Sequence, residues 1–109
     1  MHSIAGLRHI VLCAFRADIS EQQRSLLIRE FALLKESIAA VRHFECGRNC
    51  SPEGLADGFS DCFTLHFDDA AGRDAYLVDP AHLRFVELLK PWLAKVLVVD
   101  YAPGTGPVA

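Results

Sequence analysis

The sequence has no apolar stretch long enough for a membrane helix, which needs about 18 consecutive residues or more. The run Ile10 to Phe15 lies between Arg8 and Arg16 and has no small-residue cleavage site after it, so it reads neither as a span nor as a secretory signal. A cytoplasmic protein without a membrane partner is expected. There is no basic excess: 11 Lys and Arg stand against 14 Asp and Glu, a formal charge of −3, so nucleic acid is not an expected partner. The four cysteines, Cys13, Cys46, Cys50 and Cys62, show neither the redox CxxC nor a common zinc spacing. Free thiols are expected, with no metal. Repeats and low-complexity tracts are missing as well. Only the tail at 103–109, rich in proline and glycine, reads as flexible.

What remains is a folding composition: 51% hydrophobic and 23% charged residues in 109, enough for one domain over 1–109 and little more. Arg8 to Arg16 reads as a strand, apolar and rich in branched residues. Ser20 with Gln23 three residues on is a capping box, and Leu27, Phe31, Leu34 and Ile38 follow at helical spacing, predicting a helix over 21–38. A second strand is expected at 41–48, followed by turn residues Ser51-Pro52-Glu53-Gly54 and Asp57-Gly58. In 61–67, Phe63, Leu65 and Phe67 alternate with Cys62, Thr64 and His66, a third strand.

Asp68-Asp69 cap a short helix to Val78, and Asp79-Pro80 restarts it, since an aspartate cap followed by proline at the first helical position is a favoured start. That helix is expected to stop before Pro91, and Val96 to Tyr101 forms the last strand. The order β-α-β-β-α-β is the split βαβ pattern: an α+β, ferredoxin-like fold, its four-stranded antiparallel sheet covered by helices on one face.

Such a sheet should alternate apolar and polar residues. The first and last strands do not. His9, Val11, Cys13 and Phe15 share one face while Ile10, Leu12 and Ala14 occupy the other, and Val96 and Val98 alternate with Leu97, Val99 and Tyr101. Two helices hide one face. The other is expected to be covered by a second copy through a two-fold interface, a homodimeric α+β barrel.

Several pieces then fall in a telling order: Arg8-His9-Ile10-Val11-Leu12, Gly47-Arg48-Asn49-Cys50-Ser51, Asp61-Cys62-Phe63, Tyr76-Leu77-Val78-Asp79-Pro80-Ala81-His82 and Val99-Asp100-Tyr101. Together they resemble the stress-responsive A/B barrel domain (Dabb, dimeric α+β barrel) family over about 7–102. The resemblance implies a homodimeric barrel but no single reaction. One plant branch, the olivetolic acid-type cyclases, closes linear polyketides by aldol condensation without a metal or organic cofactor. Its histidine base, assisting tyrosine and first-strand histidine correspond to His82, Tyr76 and His9. A further pocket tyrosine of that branch falls on Phe31, and the frequent histidine before the proline is Asp79.

The residues themselves support a site reading beside a plainer one. His82 is the third residue of the helix begun by Pro80, where the positive helix end disfavours imidazolium and favours a neutral base. The plainer reading is a local hydrogen bond that tightens the turn, or a ligand contact. Tyr76 fits a pocket hydroxyl or a core aromatic, and His9 a site residue or a satisfied packing residue. Asp79 reads as a cap, and Asp100 as an acceptor for backbone or Arg8. The expected apolar lining is Val11, Cys13, Phe31, Phe63, Leu65, Phe85, Val96 and Val98, suited to a small apolar or aromatic ligand.

Three functions follow. The first is a homodimeric binding or stress-associated module. The second is a cofactor-free enzyme of the polyketide-cyclase kind with His82 as base. The third is a small monooxygenase of the wider barrel superfamily.

Overall fold

A computed structural model describes residues 6–104. Strand β1 (Leu7–Phe15) leads to helix α1 (Glu21–Ser37), then to strands β2 (His43–Arg48) and β3 (Asp61–Phe67). Helices α2 (Ala70–Val78) and α3 (Pro80–Leu89) follow, a 3-10 turn spans Lys90–Trp92, and β4 (Leu93–Tyr101) closes the sheet. The caps act where the sequence places them. Ser20 Oγ accepts from the Gln23 N–H at 3.0 Å, Asp69 Oδ1 from Gly72 at 2.9 Å, and Asp79 Oδ1 from Ala81 at 2.8 Å. Each satisfies a helix N–H that has no partner within its own helix.

The sheet order is β2-β3-β1-β4, antiparallel throughout, so the expected ferredoxin-like architecture is the observed one. Register sorts the side chains into two faces. Val11 opposes Phe63 and Val98, while Leu12 opposes Cys62 and Leu97. The Val11 face meets the helices. There Leu27, Phe31 and Leu34 of α1 and Phe85 and Leu89 of α3 form one buried core with Val11, Cys13, Phe63, Leu65 and Phe67. Phe31 lies at its centre, with ring centroids 4.7 Å from both Phe63 and Phe85 and 5.3 Å from Phe44. Arg24 of α1 forms a buried ion pair with Asp61, whose other oxygen accepts from Ser60 Oγ at 2.8 Å.

Two boundaries differ from expectation. β2 begins at His43 rather than at 41, because the Val41 N–H donates to the Ile38 carbonyl at 3.0 Å and closes a turn. β4 begins at Leu93 rather than at Val96. The Arg16 N–H donates to the Trp92 carbonyl, and a register shift between Ala14 and Phe15 brings Leu93 opposite Phe15.

The Leu12 face carries no helix. On it Leu97, Val99 and Tyr101 are 45%, 50% and 50% exposed, and Ile10 and Leu12 are only half-buried. No helix among the described residues is long and apolar enough to cross a membrane. Of the tail, Pro103 and Gly104 form a turn, and residues 105–109 lie outside the described part of the chain.

Candidate functional site

The helices do not cover the helix-side face evenly. They lie over β1 and β3, leaving Val96 and Val98 of β4 about half exposed. Between β4 and helices α2 and α3 lies a cavity of about 340 Å³. Its walls are His9 and Val11 of β1, Phe31 of α1, Tyr76 and Leu77 of α2, His82, Phe85, Val86 and Leu89 of α3, and Lys90, Leu93, Val96 and Val98. A hollow of about 440 Å³ against the Leu12 face of the sheet is larger, but its walls, from Leu12 and Asn49 to Cys62 and Leu97, hold no imidazole and no phenol.

The cavity brings together all three polar residues singled out in the sequence. The Tyr76 ring lies 4.3 Å from His82 and 5.7 Å from His9, centroid to centroid. His82 Nδ1 lies 3.1 Å from the Leu77 carbonyl. A carbonyl only accepts, so Nδ1 carries the proton and Nε2 keeps its lone pair. Burial lowers the pKa of His82, and the nearby His9 adds to this; the Leu77 hydrogen bond and Asp79 oppose them. The balance favours a neutral imidazole.

Tyr76 is almost wholly buried, and burial raises its pKa, so it stays a phenol. Among the described residues its hydroxyl has no hydrogen-bond partner, yet no buried side-chain polar atom is orphaned. The hydroxyl therefore reaches the cavity. His9 Nδ1 donates to Asp100 Oδ1 at 2.7 Å, directly across the β1–β4 ladder, and the other Asp100 oxygen accepts from Arg73 at 2.9 Å. Asp100 thus pairs with His9 and Arg73, not with Arg8 or a backbone group.

Among the expected lining residues, Val11, Phe31, Phe85, Val96 and Val98 do line the cavity. Cys13, Phe63 and Leu65 do not: they share the same sheet face but lie beneath the helices, in the core. Burial, with Asp61 and Cys62 adding, pushes the Cys13 thiol up to about 12, so it is an inert packing group. Sequence reading missed Leu77 of α2, Val86 and Leu89 of α3, Lys90 of the 3-10 turn and Leu93 at the start of β4.

The family model of the Stress responsive A/B Barrel Domain matches residues 7–103. The chain belongs to this family. It is 31% identical over 97 residues to the stress-response A/B barrel domain-containing protein HS1 of Arabidopsis thaliana, covering 89% of each chain. Olivetolic acid cyclase of Cannabis sativa is 22% identical over 98 residues, 90% of this chain and 97% of that one. Among solved structures, hydroxynitrile lyase from Passiflora edulis superposes with a TM-score of 0.87 at 25% identity, covering 93% of this chain and 96% of that one. A ferredoxin-like protein from Thermobifida fusca, described as dimeric, gives 0.75 at 25% identity, covering 90% and 91%.

Proposed function

We propose that this A/B barrel domain protein is a homodimer that binds a small apolar or aromatic molecule in the 340 Å³ cavity and acts on it by proton transfer, with His82 as general base. The observation that carries the reading is the state of His82. Its Nδ1 is tied to the Leu77 carbonyl, its charge is disfavoured by burial, and the rim of an apolar cavity holds it. A neutral imidazole with a free Nε2 accepts a proton, and such a base contributes about 10²–10⁴-fold. Tyr76 supplies a phenol O–H for a developing oxyanion or a substrate carbonyl. Side chains alone provide this chemistry.

Two relatives are named for reactions of small carbon compounds, an olivetolic acid cyclase and a hydroxynitrile lyase. The dimer is supported by the uncovered apolar face and by neighbours described as dimeric. A second reading, binding without turnover, is favoured by Phe31, which brings a ring but no hydroxyl into the cavity wall.

The test is His82→Ala against the native chain over a panel of phenolic and polyketide compounds, with binding followed by the fluorescence of Trp92, which precedes the wall residue Leu93. The enzyme reading expects binding to survive and turnover to fall about 10²–10⁴-fold. Equal binding with no turnover by either protein leaves a binding module.

A further inference from the structure

Behind His9 in the cavity wall lies one arrangement that the base at His82 does not explain. His9, Asp100 and Arg73 come from β1, β4 and α2, three elements distant in sequence, and form a continuous chain: His9 Nδ1 to Asp100 Oδ1 at 2.7 Å, and Asp100 Oδ2 to Arg73 at 2.9 Å. His9 is 5% exposed, and the Asp100 and Arg73 side chains 22% and 24%. His9 Nδ1 is used by Asp100, and no buried polar atom among the described residues is orphaned, so Nε2 opens into the cavity that the ring lines.

A carboxylate held against an imidazole in a poorly solvated place has two ways to be balanced. It can draw a second proton onto the ring, making an imidazolium–carboxylate pair, or it can take its counter-charge elsewhere. Here Arg73 is the counter-charge. We infer that Arg73 is a positioning residue: by neutralising Asp100 it lets that carboxylate orient His9 while leaving His9 uncharged, with Nε2 facing the cavity as a second hydrogen-bond acceptor.

The groups facing His9 fit this assignment. Besides Asp100, they are the phenol of Tyr76, 5.7 Å away between ring centroids, and His82, whose own neutral state an imidazolium at His9 would reinforce only by charging the cavity. Arg73 also donates to Asp74 at 2.9 Å, so two carboxylates hold the guanidinium in place. The cavity then presents two neutral imidazoles and one phenol as its buried polar groups, with the Lys90 side chain on its wall as the one cation among the lining residues. That consequence rests on the proposed proton-transfer site. The state of His9 does not.

The experiment reads the two nitrogens of His9 directly, by long-range ¹H–¹⁵N correlation at pH 7 on the intact, ligand-free protein. The native chain should show protonation at Nδ1 alone. Arg73→Met keeps the aliphatic stem but removes the fork, and should protonate both nitrogens; Arg73→Gln should do the same, and either variant suffices if the other does not fold. Arg73→Lys restores the charge and should return the ring toward the native pattern. Native-like His9 signals in a folded Arg73→Met or Arg73→Gln protein would overturn the inference, as would a doubly protonated His9 in the native chain. Neither result depends on any substrate being turned over.

Discussion

Strands β3 and β4 belong to the same sheet and are both strongly apolar, yet they are treated in opposite ways. In β3, Phe63, Leu65 and Phe67 are 2%, 0% and 2% exposed, and the residues between them are half-buried. In β4, Val96, Leu97, Val98 and Val99 are all between 45% and 51% exposed. The difference is one of position. β3 lies inside the sheet, between β2 and β1, with Phe63 packed on Phe31 of α1, whereas β4 is an edge strand separated from α2 and α3 by the cavity. An apolar strand left open on two sides has two faces to account for. One borders the 340 Å³ cavity, and the other joins Ile10 and Leu12 in an uncovered patch. The first suits a small ligand and the second a second copy.

The largest effect that separates the strands is on stability. Phe63→Ala should cost about 3–5 kcal/mol, because it empties a place against Phe31 that cannot collapse, whereas Val98→Ala should cost about 1 kcal/mol or less. Equal losses in denaturant titrations would erase the distinction. Next comes association. Val99→Lys should abolish the dimer while leaving a folded monomer with native circular dichroism. Thr64→Lys, on the same face of β3, should weaken it too, and a mutant dimer of native strength would move the interface elsewhere.

A smaller effect is expected from acid. His66 faces the uncovered side of β3, and its pKa is lowered by burial first, then by Arg8 of β1 and His43 of β2, with Glu45 opposing. His82 is lowered as well. A lowered histidine binds its proton less readily when folded than when unfolded. Stability should therefore hold above the ordinary histidine value of about 6.5 and decline as pH falls below it. Thermal melts from pH 8 to pH 5 should show that slope, and His66→Gln should reduce it. The smallest effect is local: Asp79→Ala removes the cap of α3 and should cost about 1 kcal/mol, read as a lower melting temperature.

Period and capping made most of the fold legible. The alternation in 61–67 marked β3 to the residue, and Asp79-Pro80 marked the start of α3. The start of β4 was hidden because Pro91-Trp92 reads as a stop, while the backbone there turns through a single 3-10 segment into a bulged ladder. In the candidate site, the grouping of His82, Tyr76 and His9 came from the family resemblance, with the shared strand face of His9 and Val11 as its physical pointer. Parity alone could not separate Cys13, Phe63 and Leu65 from the wall residues, because whether a helix overlies a strand residue depends on where the helix crosses. Nor could it show the partners of Asp100, since His9 lies 91 residues away and Arg73 27.

The two-sided character of β4 is tested most directly by the mass of the intact chain in solution, measured by light scattering during size-exclusion chromatography at micromolar concentration. Twice the 12.0 kDa chain mass is the expected value. A uniform species at the single-chain mass, with the Leu97 and Val99 face open to water, would contradict it.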